Sequence, residues 1–429
     1  MLRKITALLW LYTFTPALMA MSQVPAERHT MIQFTNSTQQ TLYAYIEEGN
    51  NVELLTTEIM PLSTADLASI TRTNNDDDIA ISLSNADYSF SLTQRVSNDA
   101  LAFGIDSDEL TIAPQTDSAI QRFEIQLAAS QNTIAFNSEK LHKGGKVNYV
   151  LQQHDQKPAL GPGNELSLLS YNIWATTIFG SKKVDTRLTE MPAIMSGYDV
   201  LVLTEVFDLI RTSKLLKQLN AEYSFTSSEI FKLGRIMQSG TRILTRWPVE
   251  EEKSLKYTNC NGIQCAATRG VIYTRINKQG YIYHVFATHT QSSDDDQNRS
   301  ARLAQLEEMG EFIRQQNIPA DEAVILAGDF NINKIGLPAD RDQMEYILNA
   351  SEPENKGHHL SFDSDTNYWA EKPYLEYLDY TLTGNENLQP LTASQEIFAP
   401  RVLTESLWGI WDLSDHYAAR GHFIYPKAK

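Results

Sequence analysis

Eight polar residues sit at the ends of short apolar runs, and their types together could perform phosphoryl chemistry. Asn172 follows Leu-Leu-Ser-Tyr, Glu205 follows Val-Leu-Val-Leu-Thr, and His289 follows His-Val-Phe-Ala-Thr. Asp329 and Asn331 follow Ile-Leu-Ala-Gly, Asp379 lies in Tyr-Leu-Asp-Tyr, and Asp415-His416 lies in Leu-Ser-Asp-His-Tyr. Glu205 offers the hard anionic oxygen that suits a magnesium ion. Asn172 adds a neutral oxygen, which binds a cation without repelling a phosphate, and Asp415 is available on the same metal side. Asp329 and Asn331 are two apart, so on an extended segment both side chains face one way. The carboxylate can accept a proton or hydrogen bond while the amide donates to a phosphoryl oxygen. His416 is a candidate general base for a water, with Asp379 holding its tautomer. His289 is a candidate proton donor to a phosphoryl oxygen or a leaving group. Any one strand-end Asp or Asn is ordinarily a turn or a cap; the whole set in this order is not accounted for so simply.

These residues need a scaffold that brings strand ends together. Leu166 to Tyr171, Val200 to Leu203, His284 to Thr288 and Ala323 to Leu326 are nearly continuous apolar runs, which suits strands covered on both faces. Between them lie helical periods: Leu303, Leu306, Met309 and Ile313, and Leu215, Leu216 and Leu219. Residues 165–426 therefore read as a layered α/β domain, whose ligands bind beyond the strand ends. Residues 27–155 have a different grammar. Met31 to Phe34, Thr41 to Ile46, Ile79 to Leu83, Tyr88 to Leu92, Phe123 to Leu127 and Val147 to Leu151 are short strand candidates separated by turn clusters. That pattern predicts a smaller, antiparallel all-β sandwich, a candidate binding module. Gln156 to Asn164 is a linker by composition. The triplet Asp76-Asp77-Asp78 reads as a solvated loop rather than a calcium site, because ligand positions normally alternate with spacers.

The chain has 429 residues, 42% of them hydrophobic, and a formal net charge of −17. This supports sizeable cores and excludes wholesale disorder. The acidic balance argues against a general nucleic-acid binder, so no nucleic-acid partner is expected. Leu2-Arg3-Lys4, the apolar run Ile5 to Thr15 and the small residues ending at Ala20 follow the order of a secretory signal peptide, over residues 1–20. Export is therefore expected. The two cysteines, Cys260 and Cys265, lie in one short loop. An oxidising compartment favours a disulfide between them, though the sequence leaves the pairing open.

Ser170-Tyr171-Asn172, Glu205, His289, Gly328-Asp329-Phe330-Asn331, Leu378-Asp379-Tyr380 and Ser414-Asp415-His416 together resemble the DNase I-like endonuclease/exonuclease/phosphatase superfamily. Glu205-Val206-Phe207-Asp208, Arg246-Trp247-Pro248, Thr288-His289-Thr290-Gln291 and Asp412 to Tyr417 resemble the bacterial neutral sphingomyelinases (sphingomyelinase C) within it. The resemblance covers about residues 165–426. It implies a four-layer α/β sandwich and a Mg²⁺-dependent phosphodiesterase, with manganese or cobalt able to take the place of magnesium. By motif position Glu205 would be the central metal ligand, supported by Asn172. His416 would be the base, His289 and Asn331 would bind the phosphoryl group, Asp329 would orient water or metal, and Asp379 would orient His416. Two departures stand out. The family's Ala-Asn-Lys-Gly-like segment reads Ala267-Thr268-Arg269-Gly270 here, and the family's disulfide reaches the loop after His-Thr-Gln, which has no cysteine here.

The resemblance implies a secreted enzyme, haemolytic in effect, that hydrolyses sphingomyelin in membrane bilayers to ceramide and phosphocholine, a virulence activity. It is expected to act as a monomer with peripheral membrane contact. Trp408 and Trp411, just before Ser414-Asp415-His416, and Phe207, just after Glu205, are the candidate interfacial rings. Two alternatives remain at this stage. One is another metal-dependent enzyme on this scaffold, a nuclease or a phospholipid phosphatase. The other is a lipid- or glycan-binding sandwich joined to an inactive catalytic half.

Overall fold

The computed structural model describes residues 28–427, apart from 74, 98–99, 116–118, 142–143, 155–156, 158, 178–179, 232 and 235–236. The expected signal peptide, residues 1–20, lies outside the described residues. No helix among those described is long and apolar enough to cross a membrane.

The first part, from the strand Arg28–Ser37 to the strand Lys146–Gln153, is all β. Two six-stranded sheets face each other, with Phe34, Leu67, Ile81, Leu92, Phe103 and Phe136 among the side chains packed between them. Alternation along Ser89–Ser97 sends Phe90, Leu92, Gln94 and Val96 inward, the period-two pattern of a half-buried strand. The sandwich is not wholly antiparallel as expected. Arg28–Ser37 pairs parallel with Lys146–Gln153, from Met31 beside Lys146 to Ser37 beside Gln152. Strands Thr64–Arg72 and Ser130–Glu139 carry polar residues that interrupt the alternation, and Ala100–Asp106 has small or apolar residues on both faces, so none of the three stands out in the sequence. In the acidic triplet, Asp77 accepts from Asn50 and Asn51, Asp78 pairs with Arg95, and Asp76 accepts from Ser97, so each carboxylate has its own protein donor.

The second part, from Glu165–Ala175 to Ala418–Ile424, has four layers. A seven-stranded sheet centred on Glu165–Ala175 and Val200–Val206 faces a six-stranded sheet centred on Tyr281–His289 and Ala323–Asp329. Leu168, Val202 and Ile243 of the first interleave with Ile272, Val285 and Ile325 of the second. Helices Val184–Met195 and Leu209–Leu219 cover the outside of the first sheet, and Asp296–Gln315 and Pro338–Leu348 cover the second. Burial on both faces explains the continuous apolar runs. Asp208 ends the turn after Glu205 and caps the next helix, its side chain accepting from Arg211 N–H at 3.0 Å.

The two parts touch along the segment between residues 400 and 412. Trp408 and Trp411 pack edge to face, 4.8 Å between centroids, against Ala135 and Val150 of the sandwich. Trp408 Nε1 donates to Asn137 Oδ1 at 3.0 Å, and Trp411 is 6% exposed. Against the expectation that these rings meet a membrane, the sandwich buries Trp411 and takes up the indole N–H of the half-buried Trp408. That partner lies outside the part of the chain that resembles a family, so motif reading could not supply it.

Candidate active site

The facing sheets bring the ends of their central strands to one end of the second part. Tyr281–His289 and Ala323–Asp329 run parallel in register, His289 beside Asp329. Asp379 opens the antiparallel neighbour and lies beside Asp329. The close approach depends on Gly328, whose φ is +143° and where an added Cβ would lie 2.0 Å from the Thr288 carbonyl oxygen. Three non-glycine residues at this end also have left-handed backbones: Trp174 at 47°, Glu205 at 57° and Asn331 at 50°. Such strain concentrates where a side chain must be aimed against the strand's own preference.

Asp329 Oδ2 is the centre of the arrangement. Asn172 Nδ2 donates to it at 3.0 Å, His289 Nε2 is 3.5 Å away and His416 Nε2 is 3.9 Å away. Asp379 Oδ2 bonds His416 Nδ1 at 2.8 Å, which leaves Nε2 facing the site. Asn331 N–H donates to Asp329 Oδ1 at 3.0 Å, and its amide donates to the Thr290 carbonyl at 3.2 Å. Asn172 Oδ1 accepts from Trp174 N–H at 3.1 Å. The amide of Asn172 thus steadies Asp329 as well as lying beside the acidic groups.

The electrostatics are those of a crowded acidic pocket. Burial, then the charge of Asp415, pushes the Glu205 carboxyl up to about 7 against the pull of His416. Burial, then Asp379, pushes Asp329 up to about 6, with His416 and Asn172 opposing. Burial raises Asp415 as well, with His416 and Arg187 opposing. Burial works to lower His416, but Asp379, Asp329 and Asp415 outweigh it and hold the imidazole well above its ordinary value. His289 is held well below its ordinary value by burial, then by the nearby Arg269 and His416. One histidine is therefore kept neutral and the other favours its cation, a separation of roles set by surroundings.

Glu205, Asp329, Asp379 and Asp415 together exceed the positive charge their neighbours supply, which fits a divalent cation. Asp379 Oδ1 and His289 Nδ1 are buried without a hydrogen-bond partner, and among the described residues no donor bonds the Glu205 carboxylate. Asp329, Asp379 and His416 also bring ligand atoms within 4.8 Å of one another. His416 already spends Nδ1 on Asp379, so this trio serves better as an oriented base than as a cation seat. Glu205 and Asp415 are the carboxylates without such a commitment to a histidine.

Two arginines at the site were missed by sequence reading. Arg187, fully buried, donates to the carbonyls of Ile173 at 3.1 Å and Leu413 at 2.7 Å, tying the segment after Asn172 to the segment before Asp415. Arg269 donates to the His289 and Thr290 carbonyls, and its charge faces Asp329 and Glu205. Arg187 reads as an ordinary helical charge. Arg269 had a signal, as the departure in Ala267-Thr268-Arg269-Gly270. Its loop carries the Cys260–Cys265 disulfide, with Cα atoms 5.3 Å apart, and Gln264 of the same loop donates to the Ser292 carbonyl at 3.1 Å. Phe207 is half-buried against Gly240, where an added Cβ would meet the ring at 2.5 Å.

The sequence profile of the Endonuclease/Exonuclease/phosphatase family matches residues 169–416. The chain belongs to this family. It is 27% identical over 297 residues to a phospholipase C of Staphylococcus aureus, covering 60% of this chain and 87% of that one. It is 31% identical over 233 residues to a sphingomyelinase C of Bacillus cereus, covering 48% and 70%. A crystal structure of a doubly substituted Staphylococcus aureus beta toxin with bound magnesium ions superposes with a TM-score of 0.56 at 26% identity, covering 61% of this chain and all of that one. The match stops short of the N-terminal sandwich.

Proposed function

We propose that this chain is an exported, Mg²⁺-dependent phosphodiesterase that hydrolyses sphingomyelin to ceramide and phosphocholine, acting as a monomer at a membrane surface and damaging it. The observation that carries the reading is the convergence of His289, His416 and Asn172 on Asp329 Oδ2, with Asp379 behind His416. The relatives named sphingomyelinase C support the choice of substrate. Residues 165–426 would form the catalytic domain, 27–155 an accessory domain and 156–164 the linker.

In this reading the chain's own groups divide the work. His416 accepts a proton from the attacking water, and Asp379 stabilises the imidazolium that forms. Neutral His289 donates a hydrogen bond to the phosphoryl oxygens, and the Asn331 amide adds a second. Asp329 keeps both histidines facing the reacting phosphorus. Glu205 and Asp415, with Asn172, would hold the cation. When bound, the ion stabilises charge growing on the phosphate and neutralises the carboxylates that otherwise favour His416 in its cationic form.

Exposed apolar side chains support membrane contact. Ile210, Phe231, Leu233 and Ile263 are 82, 66, 87 and 80% exposed. Ile210 lies in the first turn of the helix after Glu205, Phe231 and Leu233 precede Gly240, and Ile263 lies in the short helical turn of the disulfide loop. Large apolar side chains this exposed, on segments that flank Glu205 and the disulfide loop in sequence, suit contact with a lipid surface. The test is phosphocholine release from sphingomyelin vesicles by the wild type and His416→Ala, with and without chelator. Release that needs the divalent ion and His416 supports the proposal. Turnover of DNA but not vesicles, or vesicle binding without turnover, would overturn it.

A further inference from the structure

Arg401 joins the N-terminal sandwich to the segment that delivers Asp415 and His416. Its side chain is buried, and all three guanidinium nitrogens are engaged. Nε donates to Asp412 Oδ1 at 2.7 Å. Nη1 donates to Ser37 Oγ at 3.0 Å and the Leu62 carbonyl at 2.9 Å. Nη2 donates to the Thr366 carbonyl and to Tyr417 Oη, the latter at 3.1 Å. Its own carbonyl accepts from Gln152 Nε2 at 2.7 Å. Ser37, Leu62 and Gln152 belong to the sandwich; Asp412 and Tyr417 bracket Ser414-Asp415-His416.

The bracketing is firm on both sides. Asp412 Oδ2 accepts from Tyr368 N–H at 2.9 Å, and Tyr417 N–H donates to the Ser361 carbonyl at 2.7 Å. A guanidinium has five N–H donors in a fixed fork, and a buried one is tolerated only when they are paired. Without the sandwich, Nη1 would lose both of its acceptors. The fork would then be held from the catalytic side alone, by Asp412, Thr366 and Tyr417, and any turn toward new acceptors for Nη1 would pull on Asp412. Since a shift of about 1 Å in a reacting group costs ~10²-fold in rate, a swing this close to His416 would be felt in turnover.

We propose that Arg401 is a positioning residue through which the N-terminal sandwich fixes the Asp412–Tyr417 segment, so that the sandwich is part of the catalytic apparatus and not a separately acting module. The activity assay rests on the function proposed above; the melting assay does not. In the full-length chain, Arg401→Lys, Ser37→Ala, Ser37→Thr and the remote surface control Arg95→Ala are compared by kcat and KM on a soluble phosphocholine ester, and by calorimetry. Wild type is expected to melt in one transition and Arg401→Lys in two. Arg401→Lys is expected to lose about ten- to a hundredfold in kcat with KM within about twofold. Ser37→Ala is expected to lose a few-fold in kcat, with Ser37→Thr restoring it and Arg95→Ala unchanged. Retained kcat in Arg401→Lys and Ser37→Ala, a loss confined to KM, or failure of Ser37→Thr to restore activity overturns the proposal. If Arg401→Lys does not fold, the Ser37 pair decides. A wild type inert toward the ester counts against the function, and calorimetry then decides: a wild type melting in two transitions, or an Arg401→Lys melting in one, overturns the coupling.

Discussion

Replacing Glu205 with glutamine should make the metal-free protein more stable while abolishing its activity. Burial and Asp415 push this carboxyl from its ordinary 4.5 up to about 7, so its charged form is disfavoured in the folded chain. At ~1.4 kcal/mol for each tenfold change, that displacement corresponds to about 3 kcal/mol. Glu205 shares its proton balance with Asp415 and Asp329, and the residue is half-buried rather than sealed from water, which together reduce the figure to about 1–3 kcal/mol. The sign follows from linkage. A carboxyl raised in the folded state binds its proton more tightly there, so the penalty is absent below pH 4.5. It grows as pH rises and is complete above about 7. Thermal melts of wild type and Glu205→Gln in chelator, from pH 4 to 8.5, should therefore diverge through that window. Above pH 7 the variant should melt about 2–12 °C higher, at ~2–4 °C per kcal/mol for a domain of this size. Added magnesium should raise the wild-type melting temperature at pH 8 and leave the variant unmoved. A variant less stable than wild type in chelator at pH 8, or equally stabilised by magnesium, would refute the reasoning that Glu205 is a strained cation ligand.

Three further outcomes follow from particular contacts. Asp379→Asn removes the acceptor that fixes His416 Nδ1; kcat on the soluble ester should fall by about 10³–10⁴ with KM little changed. Gly328→Ala places a methyl into the Thr288 carbonyl and forces a side chain onto a positive φ; urea denaturation should reveal a loss of more than about 3 kcal/mol. Ile210→Ser with Leu233→Ser should weaken sedimentation with sphingomyelin vesicles at least about tenfold, at ~1.5–3 kcal/mol for each fully buried apolar side chain. Hydrolysis of the soluble ester should stay within about twofold, and parallel loss on both substrates would count against a lipid-facing patch.

The motifs alone pointed to phosphoryl chemistry and to a layered α/β scaffold. Strands buried on both faces have to be apolar along their whole length, so Leu166 to Tyr171 and Ala323 to Leu326 announce themselves, and the polar residue ending each run becomes conspicuous. Asn172, Glu205, His289, Asp329, Asn331, Asp379, Asp415 and His416 were legible because local pattern marks strand ends. The sandwich was legible as β but not in its topology, because the parallel pairing of Arg28–Ser37 with Lys146–Gln153 is made by residues more than 100 positions apart. What Trp408 and Trp411 pack against, and that Arg269 faces Glu205 and Asp329, came from long-range packing. It alone joined Arg401 to Ser37 across 364 positions. A tryptophan or an arginine in a loop has the same local sequence signature whether it meets solvent, lipid or another part of the chain. The difference lies in desolvation and in which acceptors the fold brings within 3 Å, and neither is encoded by spacing.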